Sequence, residues 1–166
     1  KGKTIFVGDT SVHEYPTSEQ MSEMAISAAR VVRLFGFVPK VAFVSHSTFG
    51  QPLTSRTKHI KNAVEILKEK NVDFEFDGDM QPDVALNEEY KNLYPFSKIV
   101  GNANVLIMPG QHSAAITYKM MKTLGDTKVI GPLLIGLGLP IEIAPLRSST
   151  SEILNLASIA AYSSDV

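Results

Sequence analysis

The sequence contains no cysteine among its 166 residues. This absence excludes disulfides, thiolate metal sites and a cysteine nucleophile, and it is compatible with a reducing cytoplasm, where we expect the protein to reside. The chain also lacks an excess of either charge, since 16 basic residues oppose 17 acidic ones for a net charge of -1. Such a balance gives no overall attraction to nucleic acid or to an anionic membrane surface, and we expect neither as a partner.

Long hydrophobic runs are absent as well. No apolar stretch reaches the ~20 residues that a helix needs to cross a bilayer. The first residues, KGKTIFVGDT, contain neither the apolar core of a signal peptide nor an initiator methionine, which suggests a fragment. A hydrophobic share of 44% and a charged share of 20% describe a globular chain that is long enough to bury a core. We therefore expect residues 1–166 to form one domain.

Hydrophobic periodicity predicts strands that alternate with helices. The short apolar runs TIFVG, VAFVS, FEFDG and VLIMPG are typical of strands, and VIGPLLIGLGLPIEIAPL adds one or two short strands broken by glycine and proline. Between them lie helical patterns, the first opened by the capping box of Thr17 and Gln20 and the last by that of Ser149 and Glu152. We expect the first helix to stop at Gly36 and Asn87 to cap a short helix in NEEYKNLYP. This alternation indicates an α/β fold with a mostly parallel sheet.

Three loops follow predicted strands, at residues 45–52, 109–113 and 144–149, and ligands of parallel sheets bind beyond the carboxyl ends of the strands. In the first loop, SHSTFG, the hydroxyls of Ser45, Ser47 and Thr48 could hold a phosphate or a carbonyl group. They could equally satisfy the amides of the turn. The loop is not a P-loop, because the G-x-x-x-x-G-K-[ST] pattern is absent.

The second loop places His112 and Ser113 where a strand gives way to a helix, in MPGQHSAAITYK. The start of a helix attracts anions, because its amides are free and its dipole is positive there. Ser113 could instead be only the N-cap of that helix, and His112 only a surface residue. The four histidines of the chain show no metal-binding spacing, so we expect no metal site.

Arg147 in the third loop stands two residues before the predicted cap Ser149. A guanidinium beside the start of a helix is unfavourable unless an anion lies between them. Glu152 could supply that anion from within the chain, and a ligand phosphate could supply it from outside. The sequence leaves both alternatives open.

The segment FDGDMQPD brings Asp77, Asp79 and Asp83 together in sequence, which raises the question of a Mg²⁺ site. The spacing does not match an EF-hand, which needs a further glycine and a distal glutamate. We interpret the segment as a solvated acidic turn.

Three long segments resemble a known family, namely FDGDMQPDVALN, GNANVLIMPGQHSAAITYKM and VIGPLLIGLGLPI. The family is that of the phosphate acetyltransferases, and the resemblance is collinear from about Lys3 to Ala161. The longer stretches that contain DTSVHEYPTSEQ and YPFSKIVGNANV are similar to a subgroup, the C-terminal acetyltransferase-like domain of large bacterial NADP-dependent malic enzymes. The resemblance implies a three-layer α/β sandwich, of which this chain is the C-terminal half. It also implies that NADP and a divalent metal belong only to the absent malic-enzyme domains, which oxidatively decarboxylate malate to pyruvate.

The resemblance fails at the catalytic positions. Active members of the family carry a Ser-Arg pair, then Gly-Cys, and an Asp at the start of the last helix. The matching positions here hold other residues: Pro145, Leu146, Arg147, Ser148 and Glu152, with Phe49 in place of a Lys in the family's SFSTKG motif. Because proline has no N–H and leucine has no charge, neither can orient a phosphate or stabilise a developing thiolate.

The resemblance therefore implies a regulatory domain that binds acetyl-CoA as an effector, controls an attached malic enzyme, and forms a homodimer. The alternatives are an active phosphate acetyltransferase and a purely structural dimerisation module. The expected acetyl-CoA contacts are Ser45, Ser47, Thr48, Phe49, Gln111, His112, Ser113, Tyr118, Pro145, Leu146, Arg147, Ser148 and Glu152.

Overall fold

The computed structural model describes residues 2–8, 11–125 and 127–163. The chain divides into two compact units, Lys1–Ala115 and Ile116–Val166. None of the helices in the described part of the chain combines the length and the apolar character that crossing a membrane requires.

The first unit contains a sheet of four parallel strands in the order β1-β4-β2-β3. The strands are β1 (Phe6–Gly8), β2 (Lys40–Val44), β3 (Glu75–Met80) and β4 (Val105–Ile107). The register pairs Val41 of β2 with Val105 of β4 on one side and with Phe76 of β3 on the other. The central strands are therefore β4 and β2, and both are buried, as apolar runs in a parallel sheet predict.

Two long helices of the first unit begin at side-chain caps. Helix α1 (Ser18–Leu34) starts at the predicted capping box, in which the Thr17 hydroxyl accepts from the Gln20 amide and the Gln20 side chain accepts from the Thr17 amide. Helix α2 (Ser55–Glu69) starts in the same way at Thr54 and Thr57. Past α1, Gly36 adopts a φ of +78°, which supports the predicted stop.

Three further helices involve residues of this unit: α3 (Pro82–Leu86), α4 (Glu88–Lys91) and α5 (Gln111–Leu124), the last continuing into the second unit. Asn87 caps α4 as predicted, because its side chain accepts from the Glu89 amide at 3.0 Å.

The core of the first unit lies on both faces of the sheet. Val41 and Phe43 of β2 point to one face and pack against α1 and α2, whereas Ala42 and Val44 point to the other face and pack with α3. This alternation follows from the two-residue period of a strand. The predicted three-layer α/β architecture is thus confirmed.

The predicted solvated acidic turn is wrong. Asp77 and Asp79 lie within β3, with only 7% and 1% of their surfaces exposed, while Asp83 lies in the first turn of α3. The cost of burying the carboxylate of Asp77 is offset by two hydrogen bonds, which it accepts from the amides of Gly78 and Lys98 at 3.0 and 2.7 Å. Strand β3 also runs close to β2, since a Cβ on Gly78 would lie 2.7 Å from the Cβ of Phe43.

The second unit contains the rest of α5 and helix α6 (Thr150–Ser163). The prediction of one or two strands in VIGPLLIGLGLPIEIAPL is wrong, because residues 128–146 pair with no described strand. A strand needs a hydrogen-bonded neighbour as well as apolar side chains, and prolines 132, 140 and 145 remove three amide donors from this segment.

Candidate functional site

The loop at residues 45–51 continues from the carboxyl end of β2. Ser45 extends the sheet by donating its amide to the Met80 carbonyl at 2.9 Å. Beyond it, the Ser47 hydroxyl donates to Oδ2 of Asp79, and the Gly50 amide donates to Oδ1 of the same carboxylate at 3.0 Å. A buried carboxylate of β3 therefore anchors the loop that follows β2.

The remaining polar groups of this loop also bond within the chain. The Thr48 hydroxyl accepts from the Gln81 amide at 3.2 Å, and the Gln81 side chain donates to the His46 carbonyl at 3.1 Å. Ser45, Ser47 and Thr48 are all buried. Of the two alternatives for these hydroxyls, the structure shows internal bonding, and contact with a ligand stays a prediction.

Phe49 of this loop packs against two other aromatic side chains. Its ring centroid is 4.8 Å from that of Phe96 and 5.5 Å from that of Tyr94, both in tilted or edge-on geometry. Such arrangements are favourable for aromatic rings. The position where the resemblance expects a lysine is thus apolar and packed.

The second loop leads into α5. Ser113 is the third residue of this helix and not its N-cap, which corrects that alternative; its hydroxyl donates to the Gly110 carbonyl at 3.1 Å. His112 is an exposed residue, whose Nε2 lies 3.5 Å from Oε1 of Glu14 and whose ring stacks near Tyr15. The side chain of Gln111 forms no hydrogen bond with any other described residue.

Helix α6 of the second unit begins at the predicted capping box. Oε2 of Glu152 accepts from the Ser149 amide at 2.7 Å and from the Ser149 hydroxyl at 2.9 Å, and that hydroxyl accepts in turn from the Glu152 amide. Oε1 of Glu152 receives the Lys122 ammonium at 3.0 Å. The Ser149 amide, followed by Lys122, lowers the pKa of Glu152 to about 2.

Arg147 is exposed, and its guanidinium forms no hydrogen bond or ion pair with any residue in the described ranges. The alternative that Glu152 neutralises Arg147 is wrong, because Lys122 and Ser149 occupy that carboxylate. Beside Arg147, Pro145 and Leu146 are exposed, and Leu146 is fully so at 102%. As far as the described residues go, this loop thus presents a cation without a partner and no nucleophile-activating group.

Two further predicted contacts, Tyr118 and Ser148, are half-buried in the second unit. The Lys119 ammonium lies 6.0 Å from the centroid of the Tyr118 ring, and the Ser148 amide donates to the Pro145 carbonyl at 2.9 Å. The predicted contacts are therefore distributed over both units, with residues 45–49 and 111–113 in the first and residues 118 and 145–152 in the second.

Metal-ligating side chains do not converge anywhere in residues 2–8, 11–125 and 127–163: no group of three or more histidine, aspartate or glutamate residues is placed to share one ion. The sequence predicted a solvated Asp79 and gave no sign of its bonds to the loop at residues 45–51. The sheet topology could have indicated them, because the end of a strand that pairs with β2 lies beside the loop that follows β2.

Comparison with known proteins places the chain in a family. The model of the phosphate acetyl/butaryl transferase family matches residues 1–161. An NADP-dependent malic enzyme of Rhizobium meliloti is 48% identical over 162 residues, which are 98% of this chain and 21% of that protein. A phosphate acetyltransferase of Clostridium acetobutylicum is 36% identical over 157 residues, which are 93% of this chain and 47% of that protein.

Solved structures agree with this placement. A phosphotransacetylase from Streptococcus pyogenes superposes with a TM-score of 0.91 at 32% identity, over 96% of this chain and 49% of that one. The chain thus spans about a fifth of the malic enzymes that it matches, and about half of the acetyltransferases from Clostridium acetobutylicum and Streptococcus pyogenes. The resemblance inferred from the sequence motifs is confirmed.

Proposed function

Since the chain belongs to the phosphate acetyl/butaryl transferase family, we propose that it is a regulatory domain that binds acetyl-CoA without transferring the acetyl group. The observation that carries this proposal is the loop at residues 145–147, where the guanidinium of Arg147, which pairs with no described residue, stands beside two exposed residues that have no catalytic functional group. Arg147 thus offers a cation to an anionic ligand, whereas positions 145 and 146 lack the chemistry expected of the family.

Three residues support the absence of catalysis. Pro145 and Leu146 occupy the positions of the family's Ser-Arg pair, so no hydroxyl and no guanidinium is available there to stabilise charge that develops in the transition state. Glu152 occupies the position of the family's Asp. Its carboxylate caps α6 and pairs with Lys122, and the lowered pKa makes it a weaker general base near neutral pH than an ordinary glutamate.

Arg147 supports the binding of an anionic ligand. Guanidinium groups form strong, charge-assisted hydrogen bonds with phosphate, and coenzyme A carries several phosphate oxygens. Ser148, the next residue, keeps its hydroxyl free of bonds to the rest of the described chain. We therefore assign a ligand phosphate to Arg147, with Ser148 beside it.

The relatives support a regulatory role. In the NADP-dependent malic enzyme of Rhizobium meliloti the matching part is 21% of the protein, so most of that chain lies outside the match. We propose that this chain is likewise joined to NADP-dependent malic-enzyme domains in the cytoplasm. Acetyl-CoA can control such domains only if it binds one of their arrangements more tightly than another.

Calorimetric titration of the 166-residue chain with acetyl-CoA tests the proposal. The parent is expected to bind, and Arg147→Ala is expected to weaken binding by roughly 1.5–3 kcal/mol, about 10- to 150-fold, because a charged hydrogen bond is lost. Arg30→Ala, which removes an exposed arginine from α1, is the matched control and should bind like the parent. Equal affinity of Arg147→Ala and parent would contradict the assigned residue, and no binding by the parent would contradict the function.

An active phosphate acetyltransferase is the second candidate, favoured by the 36% identity to the enzyme of Clostridium acetobutylicum. An exchange assay with acetyl phosphate and CoA separates the two. We expect no turnover above background, and turnover at the rate of an authentic acetyltransferase would overturn the regulatory proposal.

We also propose that the domain forms a homodimer, because two-fold dimers are the most common symmetric assemblies. Light scattering at high protein concentration should give twice the 18.1 kDa mass of the chain. A monomeric mass would contradict this proposal.

A further inference from the structure

The loop at residues 45–51 directs several hydrogen-bond donors toward one residue of the neighbouring strand. The Ser47 hydroxyl and the Gly50 amide each hold one oxygen of the Asp79 carboxylate, and the Phe49 amide donates to the Asp79 carbonyl at 2.6 Å. Three donors of one loop thus converge on a single residue. Asp79 is 1% exposed, so water does not share in these bonds to any extent.

The donors are the kind that bind oxyanions. A hydroxyl and a backbone amide that point to the two oxygens of one carboxylate, away from solvent, form the same arrangement that proteins use for phosphate and carboxylate ligands. No lysine or arginine among the described residues forms an ion pair with Asp79, so these neutral donors are what compensates for its burial.

We propose that the loop at residues 45–51 is an oxyanion cradle that the chain fills with its own Asp79 carboxylate. The inference does not depend on acetyl-CoA binding, because the occupant belongs to the chain. An external anion that approaches this loop meets a filled site and a negative charge. The loop is therefore closed to phosphate, and it offers a ligand chiefly the exposed His46 and the half-buried Phe49.

The filled cradle also accounts for the conformation of Phe49. Its φ of +51° is unusual for a bulky residue and persists only where the surroundings fix it. The surroundings here are Asp79, which holds the amides of residues 49 and 50, and the rings of Tyr94 and Phe96, which receive the side chain. Asp79 thus positions Phe49 from the opposite strand.

Chemical rescue tests the proposal. Asp79→Ala removes the carboxylate and leaves the donors, so a small carboxylate should bind in its place and stabilise the folded state. We expect 0.2 M sodium formate, compared with the same concentration of sodium chloride, to raise the Tm of Asp79→Ala by about 2–4 °C through binding to the folded state. The parent, whose cradle is filled, should show no such difference between the two salts.

Leu67→Ala is the control for a general salt effect, because it destabilises the same unit by opening an apolar cavity that has no donors. A formate-specific gain in Asp79→Ala alone supports the cradle. Equal effects of formate and chloride on Asp79→Ala, or an equal formate gain in Leu67→Ala, would overturn it. If Asp79→Ala is unfolded in chloride, folding in formate supports the cradle, and failure to fold in either salt counts against it.

A second variant keeps the volume of the side chain. In Asp79→Asn the negative charge is lost, so the NMR resonance of the Gly50 amide proton should move upfield and its hydrogen exchange should quicken, because a neutral acceptor holds it less strongly. The Lys98 amide, which bonds to Asp77, is the internal reference and should stay unchanged. An unchanged Gly50 amide resonance would contradict the claim that the Asp79 charge strengthens this hydrogen bond.

Discussion

The two units of the chain differ in how far their apolar side chains are buried. Among the described residues, 23 of the 24 buried hydrophobic side chains lie in the first unit, and Leu156 alone lies in the second. Large exposed hydrophobics show the reverse bias, with 10 in the first unit and 14 in the shorter second one. The first unit has a core of its own, and the second has little.

The difference shows that apolar composition and stability are separate properties. Leucines and isoleucines of residues 130–146 are as apolar as those of β2 and β4, yet most of them contact solvent and so contribute little burial free energy. Exposed apolar surface of this extent is typical of interfaces, which is compatible with the proposed homodimer. We therefore expect global stability to depend on the first unit.

The largest expected difference between the two units comes from the same leucine-to-alanine substitution made in each of them. Leu67→Ala, at a fully buried position of α2, should lower the free energy of unfolding by about 2–5 kcal/mol, because it removes transfer free energy and leaves a cavity. Leu139→Ala makes the same chemical change at a position that is 71% exposed, and it should cost less than about 0.5 kcal/mol. Urea unfolding of both variants measures the difference, and equal losses would break the comparison.

Lys91 tests whether the first unit also contains an unfavourable group. Lys91 is 6% exposed, and its ammonium has no hydrogen-bond partner among the described residues. Burial, followed by the charge of Lys40, lowers the pKa of Lys91. Lys91→Met should therefore stabilise the fold by about 1 kcal/mol, since an unsatisfied buried polar group is removed.

The control for Lys91 is Lys98→Met, which alters an exposed lysine of the same unit and should change the free energy of unfolding by less than about 0.5 kcal/mol. The sign of the pH dependence follows from the lowered pKa. The charged form of Lys91 is disfavoured by folding, so the parent should gain stability as the pH rises through the folded-state pKa of this lysine, and Lys91→Met should lose that part of the gain. A destabilised Lys91→Met variant would contradict the account of Lys91.

Capping boxes occur in both units, so that the effect of losing the same kind of cap can be compared between them. Thr17→Ala and Ser149→Ala remove the same kind of cap, which is worth about 1 kcal/mol to a helix. The loss at Thr17 should appear in global unfolding, because α1 packs on the core. The loss at Ser149 should appear as faster amide exchange in α6 with little change in global unfolding, and the reverse pattern would contradict the division.

The smallest expected effect is the acid response of α6. Because the folded-state pKa of Glu152 is about 2, below its ordinary 4.5, its contribution is complete above pH 4.5 and is lost as the pH falls toward 2. The carboxyl carbon of Glu152, followed by NMR, should titrate near pH 2 and accompany fraying of the first turn of α6. Titration near pH 4.5 would show that the Ser149 and Lys122 bonds do not hold in solution.

Local features were predictable from the sequence because their causes are local. The caps at Thr17, Asn87 and Ser149 and the stop at Gly36 depend on neighbours within a few residues, and all four are present. The alternation of strands and helices likewise predicted the parallel sheet.

The errors arose where distant residues decide the outcome. Asp79 is buried because β3 pairs with β2 and brings it to Ser47, which lies 32 positions away. The Glu152 carboxylate bonds to Lys122, 30 positions earlier in the chain, and Arg147 has no partner among the described residues. Residues 128–146 have the composition of strands, but composition alone does not provide a strand to pair with.

The central claim is that this member of the family binds acetyl-CoA and does not transfer its acetyl group. A single ³¹P NMR time course tests both halves, with the chain incubated with acetyl-CoA and inorganic phosphate. We predict that the phosphate resonances of acetyl-CoA broaden or shift on addition of the protein and that no acetyl phosphate signal develops. Accumulation of acetyl phosphate would contradict the loss of catalysis, and unchanged acetyl-CoA resonances would contradict binding.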